Sequence, residues 1–502
     1  MTHMIRHRIN TIYTKFVRFS DTKKFEYILL SLIIILGFAV RLYKINNPIA
    51  DWHSWRQADT ASVTKFYIQK GINLLYPKYH DISSIQTGLF NPNGYRMVEF
   101  PFYNALGAVI TTTIHHFTLE VWSRLISITC AIVSGFFLYL IGKRFLGKWG
   151  GILSAFFYLF IPFNIYFTRI ILPDPMGVMF GVISVWLFTK FFDDKGESFL
   201  YLSAVFFALM MLIKPYLGFY IVPMLYLAGK KYGWEEIRVN RKLHLKRMFF
   251  ALIAFAPFIA WRMWESRFPE GIPFYTWAFN GNHIRFKPSY WYWIFGERLG
   301  HLILGSLGLI PFVFGIFNTK VKNFFIHWYI IGAFLYVAII ADANVMHDYY
   351  QIIIMPAIVL VLAAGSIYMW NQQVFNKWLM RIALVFSIGV MLITGWNQIV
   401  GDYNINHPEI LEAGAEIDRI TPKDALIVAP YNGDTAFLYA TNRSGWPAVD
   451  NSISNIIKEG ASYYVSVNLG DTDTKNFAAR FTTVEKTDKY IILNLREPLS
   501  TK

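Results

Sequence analysis

Eleven apolar runs, most of them close to the length needed to cross a bilayer, constrain this chain more than any other feature. They cover 26–45, 121–142, 150–168, 175–192, 199–213, 216–229, 248–264, 298–317, 324–341, 349–369 and 382–398. A membrane helix needs about 20 mostly apolar residues, because it rises 1.5 Å per residue through a hydrocarbon core of about 30 Å. Two of the runs are short, 199–213 and 216–229, and Lys214-Pro215 separates them. Only 16% of residues are charged, against 55% hydrophobic. A soluble domain carries roughly 25% charge, so lipid has to solvate much of this chain. The 30 Tyr and 16 Trp point the same way, since both favour the membrane interface.

The stretch 101–118 is also apolar, but it opens at Pro101, holds several Thr and ends near His115 and His116. It reads as a helix lying in the interface. Sidedness follows from Lys and Arg in short loops. The N-terminal segment holds Arg6, Arg8, Lys15, Arg18, Lys23 and Lys24. If it is cytoplasmic and 101–118 does not span, every basic loop falls on its side. These are 143–149, 230–247, 318–323 with Lys320 and Lys322, and 370–381. The net charge of +15 is explained by this asymmetry without nucleic acid. Cys130 is the single cysteine and lies in an apolar run, so a disulfide framework is excluded. The run 26–45 is longer than a signal-peptide core and lacks a small-residue cleavage site after it, so it reads as an uncleaved first span.

The organisation expected is a cytoplasmic segment 1–25, a transmembrane domain 26–398 and an extracytoplasmic α/β domain 399–502. Outer loops fall at 46–120 and 265–297. The tail shows a helical stretch near 408–419, a strand in Ala425-Leu-Ile-Val-Ala-Pro430, a helix near 451–460 and strands at 463–467 and 490–495.

On this topology, ionisable residues gather at the outward turns. Asp51 and Asp59 follow the first span, and Glu99 precedes the interfacial stretch. Arg169 and Asp174 lie in Arg169-Ile-Ile-Leu-Pro-Asp-Pro175, and Lys214 sits at the next outward turn. His283 and Arg285 precede a run of aromatics, and Asp342, His347 and Asp348 precede Tyr349-Tyr350. Carboxylates serve as general bases or metal ligands, and cations neutralise phosphate. Blander readings exist for each: Asp174 as a helix cap before Pro175, Lys214 as a snorkelling lysine, Tyr349 and Tyr350 as interface aromatics, Asp193-Asp194 as solvated charge.

The order of motifs resembles the GT-C membrane glycosyltransferases of the protein O-mannosyltransferase and aminoarabinose transferase superfamily, over roughly residues 26–370. Arg41 ends the first span. Asp59, in Arg56-Gln-Ala-Asp-Thr-Ala61, matches the first acid of an Asp-Glu motif, with Thr60 in place of the second. Glu99-Phe-Pro-Phe-Tyr103 matches a Glu-Lys-Pro-Pro-Leu-Tyr-like motif, with Phe100 in place of its Lys. The Arg169 turn, Ile213-Lys-Pro215, His283-Ile-Arg-Phe286 and Tyr349-Tyr350 followed by Pro356 complete the series.

The resemblance implies an all-α polytopic fold of about eleven spans with the small α/β tail, in a bacterial inner (plasma) membrane with the active site outside. It implies inverting transfer of a hexosyl or pentosyl group from a polyprenyl-phosphate donor to an acceptor hydroxyl. The acceptor would be a protein, a glycolipid or a polysaccharide. Asp59 would be the base, Asp51 a substitute second acid, and Asp174 an orienting carboxylate. Lys214, Arg169, Arg285, His283, Tyr349 and Tyr350 would bind the donor phosphate. A divalent metal ion between Glu99 and His283 is allowed but not required. The competing reading is a transporter or flippase for lipid-linked glycans without chemistry. That reading needs charges at the span centres and repeat symmetry, and neither stands out.

Overall fold

The computed structural model describes residues 20, 22–318 and 323–499. Arg6, Arg8, Lys15, Arg18, Lys320 and Lys322 lie outside the described residues. Five described helices are long and apolar enough to cross a membrane: Leu119–Phe160, Asp174–Phe192, Arg241–Glu265, Asp348–Asn371 and Lys377–Tyr403. Ser198–Ile213 and Phe325–Ile339 are apolar but shorter. The expected count of eleven continuous spans is therefore not what the helices present. The apolar run 298–317 is broken: a π-helical stretch Trp293–Ile303 gives way at Gly305 and Ser306, both at positive φ, to Leu309–Ile316. A cytoplasmic-side break was expected within 143–149, and Gly147 supplies it with φ 81° inside Leu119–Phe160. Met355–Asn371 forms the centre of the bundle, with almost every side chain buried. There Gly365 lets the helix approach Leu309–Ile316; a Cβ would meet the Pro311 carbonyl oxygen at 1.7 Å.

The basic loops 143–149 and 230–247 gather at one end of the bundle and hold acids there. Lys143 pairs with Glu26 at 2.8 Å, Arg144 with Asp193 at 2.6 Å and Lys246 with Glu197 at 2.6 Å, and Lys231 pairs with Asp194. Asp193 and Asp194 are thus ion-paired and not merely solvated.

The stretch after Pro101 forms the helix Phe102–Thr113. Its 12 residues rise about 18 Å, short of a bilayer core. It packs beside Ser54–Lys70.

The tail begins with Glu409–Ile420 and builds a five-stranded sheet of order β2-β1-β3-β5-β4. β1 (Leu426–Val428) pairs parallel with β2 (Gly445–Trp446) and β3 (Ala461–Ser466). β5 (Ile491–Pro498) runs antiparallel between β3 and β4 (Phe481–Lys486). Sequence patterning misses β2, which is two residues long, and β4, whose outer face is exposed and polar. The stretch between Ser54–Lys70 and Phe102–Thr113 is sewn to this sheet. The amide of Ile82 donates to the carbonyl of Gly445 at 2.9 Å, and the amide of Gly445 donates to the carbonyl of His80 at 2.9 Å. Gly445 is required there, since a Cβ would lie 1.8 Å from the carbonyl oxygen of Ile427.

Candidate functional site

The helix Ser54–Lys70 starts at His53, which adopts a left-handed backbone conformation with φ 55°. Strained residues of this kind persist where surrounding contacts hold them and concentrate at functional sites. His53 Nε2 lies 2.5 Å from Asp348 Oδ1. Asp348 also accepts from the indole of Trp52 at 3.1 Å and lies 3.8 Å from the Arg298 guanidinium. The imidazole is fenced by the rings of Tyr349 at 5.2 Å and His347 at 5.7 Å. Burial, reinforced by the neighbouring His53, pushes His347 down to about 4.

One helical turn after His53, Arg56 donates to Glu99 at 2.9 Å. Spacing of three residues puts His53 and Arg56 on neighbouring sides of the helix start. Burial alone would raise the Glu99 carboxyl. Arg56, followed by Arg96 and Lys214, holds it below its ordinary range. Lys214 breaks the helix after Ile213 with an extended backbone. Its ammonium reaches Asp174 at 2.9 Å and stands 4.4 Å over the Tyr350 ring and 5.5 Å from that of Tyr349. Asp174 makes no capping hydrogen bond at the start of Asp174–Phe192. Its carboxylate faces the lysine instead.

The side chains of His53, Arg56, Glu99, Lys214 and Asp348 keep between 5% and 12% exposure. They form the rim of one polar recess, walled by Trp52, Trp55 and the two tyrosines. Arg298 stands beside the His–Asp pair, and two further cations, Arg56 and Lys214, complete the recess. This recess brings together five residues expected from sequence: Glu99, Asp174, Lys214, Tyr349 and Tyr350.

Other expected residues sit elsewhere. Asp59 is fully buried. Its carboxylate pairs with Arg96 at 2.9 Å and accepts from Thr435 at 2.7 Å and Gln86 at 3.3 Å. With both oxygens occupied and no open face, it is not placed to take a proton from an acceptor. Asp51 and Arg169 form a second closed pair at 3.4 Å, and both are buried. Gln57 donates to Asp51 at 2.5 Å, and Arg169 donates to the carbonyl of Lys44. With neither side chain exposed at all, this pair has no face open to a phosphate or a substrate, unlike Arg56 and Lys214. His283 is exposed, at φ 54°. It and Arg285 lie beside the Asp342 turn, where the amide of Asn282 donates to Asp342 at 3.1 Å.

The donor set does not fit a divalent ion at Glu99 and His283. Glu99 faces the cation Arg56, no contact joins it to His283, and no cluster of three or more His, Cys, Asp or Glu suited to a metal occurs among the described residues. His53, Arg56 and Arg298 were not singled out from sequence. A readable signal was the acid–histidine–arginine alternation in Asp51-Trp-His-Ser-Trp-Arg56, directly before a helix.

Residues 101–261 match the family model described as dolichyl-phosphate-mannose-protein mannosyltransferase. Among solved structures, ArnT from Cupriavidus metallidurans bound to undecaprenyl phosphate superposes with a TM-score of 0.63 at 11% identity. The match covers 94% of this chain and 98% of that one. AglB, the oligosaccharyltransferase of Archaeoglobus fulgidus in complex with an inhibitory peptide and a dolichol-phosphate, gives 0.57 at 10% identity, covering 94% and 75%. A structure of the same archaeal enzyme with zinc and sulfate gives 0.55 at 10% identity, covering 94% and 74%. No curated protein matches by sequence. The chain has the GT-C fold, in which helices of an integral membrane protein carry a small terminal domain, and the resemblance read from its motifs holds.

Proposed function

We propose that this protein is an inverting glycosyltransferase that moves a sugar from a polyprenyl-phosphate donor to an acceptor hydroxyl at the outer membrane face. The observation that carries this reading is the His53–Asp348 pair, flanked by Arg298, sharing one recess with Lys214 and Arg56. The family match and the lipid phosphates bound by ArnT and AglB support it.

In this reading Asp348 accepts from Nε2–H of His53, which leaves the Nδ1 lone pair to take the acceptor proton. As that O–H bond breaks, the acceptor oxygen attacks the anomeric carbon from the face opposite the phosphate. The C–O bond to phosphate breaks, and its electron pair leaves on the phosphate oxygen. Lys214 and Arg56 hold that developing charge. Cations fixed in advance stabilise the transition state without reorganising. Asp174 keeps the ammonium in place, and Tyr349 and Tyr350 give the sugar an apolar shelf. Asp59, the base expected from sequence, positions the helix that carries His53. No step is routed through a metal.

The same reading takes the chain across the bilayer eleven times, the remaining crossings being made by the shorter and broken helices. The ion-paired basic end is cytosolic, and the recess and tail domain are outside, in a bacterial inner membrane. The test is transfer in membranes supplied with labelled polyprenyl-phosphate sugar. Loss of transfer in His53→Asn with normal protein levels supports the proposal; near-normal transfer removes His53 as the base. A hexose and a pentose donor, offered separately, identify the sugar class.

A further inference from the structure

A cavity of about 410 Å³ opens on the other side of the first outer loop, where the turn after Lys23–Val40, the start of Leu119–Phe160 and the tail domain meet. Its walls include Asn46, Pro48, Glu120, Arg124, Leu411 and Tyr439. Arg124 is fully buried. Its Nη1 donates to the carbonyls of Ile45 at 2.8 Å and Asn47 at 2.5 Å. Its Nε and Nη2 have no hydrogen-bond partner. Buried guanidinium donors are rarely left unpaired, because the lost hydration is not replaced. Glu120 stands one turn earlier; its Oε1 accepts from the Tyr439 hydroxyl at 2.6 Å, and its own backbone amide, the Thr118 hydroxyl and the Lys65 ammonium also act on the carboxylate. The wall therefore offers a cation with spare donors beside a carboxylate, spaced i and i+4. Beside it Leu42, Ile114 and Phe117 are exposed apolar side chains, as expected of a surface that meets lipid.

We propose that this cavity binds a phosphoethanolamine headgroup, its phosphate on Arg124 and its ammonium on Glu120. An anion alone would meet Glu120 unfavourably, and a cation alone would meet Arg124. A zwitterion with N–H donors satisfies both. A headgroup held there ties the tail domain to the membrane surface through Tyr439 and Leu411.

The test uses the full-length protein in detergent, stripped of lipid and re-exposed to phosphatidylethanolamine, phosphatidylcholine and phosphatidylglycerol, with retained lipid read by native mass spectrometry. The wild type is expected to retain phosphatidylethanolamine about tenfold over phosphatidylcholine, which lacks N–H donors. Glu120→Gln should abolish that preference. Asn46→Trp, at the exposed mouth, should reduce retention of every lipid without touching Arg124, and so decides the matter if Arg124→Gln fails to fold. Soluble phosphoethanolamine should displace the lipid, whereas inorganic phosphate at the same concentration should not. Equal retention of the three lipids, an unchanged Asn46→Trp, or displacement by phosphate alone would overturn the proposal.

Discussion

Thr435 in the tail domain donates its hydroxyl to Asp59 on the helix Ser54–Lys70 at 2.7 Å, across 376 residues of chain. The same hydroxyl lies 3.1 Å from the carbonyl of Trp55, and Ser54 donates to Asp434 at 2.7 Å. The start of the helix that carries His53 and Arg56 is thereby gripped by the tail. A domain that looks separable in sequence supports the geometry of the recess.

Thr435→Val keeps the side-chain shape and removes this donor. It leaves Asp59 Oδ1 underpaired, at about 1–3 kcal/mol. The melting temperature should fall and the tail should become easier to nick with protease, while the pH profile of transfer stays unchanged. Asp59→Asn strands buried Arg96 and should cost more, roughly 3–5 kcal/mol. An unaltered melting curve for Asp59→Asn would refute its positioning role.

Substitutions at the His–Asp pair should act on rate and not on folding. His53→Ala should lower kcat by roughly 10²–10⁴-fold, with donor KM little changed. Asp348→Asn should shift the pH profile, because it no longer fixes the imidazole orientation. Matching pH profiles for Asp348→Asn and the wild type would dissociate the two residues.

Removing Lys214 combines two effects. Lys214→Ala should weaken donor use about 10–100-fold in kcat/KM, as expected for a charge-assisted contact, and it leaves Asp174 buried without its cation. The double variant Lys214→Met with Asp174→Asn should recover melting temperature but not transfer. Recovery of transfer in the double variant would show the pair to be structural only.

A buried carboxyl and a half-buried imidazole give opposite pH dependences of stability. Burial, with Asp59 nearby, raises the Asp81 carboxyl to about 7 from an ordinary value of 3.8. Between these values the folded chain holds a proton that the unfolded chain has lost. Its contribution is therefore full below about 4 and is lost as pH rises towards 7. His347 runs the other way: lowered to about 4 from 6.5, it disfavours folding as pH falls through that window. Melting curves from pH 4.5 to 8 should show Asp81→Asn losing the alkaline decline and His347→Phe losing the acid one. Identical curves for all three proteins would contradict both environments.

The sequence by itself determined the class of this protein and the end of the bundle where its charges separate. Apolar runs and Lys/Arg asymmetry are local properties, set by what lipid will solvate, and they need no partner to be read. The tail's main strands and Glu409–Ile420 were legible for the same reason, since their burial pattern repeats along the chain. Of the residues that the motifs marked, Glu99, Asp174, Lys214, Tyr349 and Tyr350 lie together in the fold. Which of several equivalent acids is open and which is locked is a different kind of fact. Asp59 and Asp348 are both outer-loop carboxylates in sequence. Arg96, Gln86 and Thr435 close the first, while His53 and a partly open rim define the second. Those partners arrive from distant parts of the chain, and only packing fixes whether a carboxylate's lone pairs face protein or substrate.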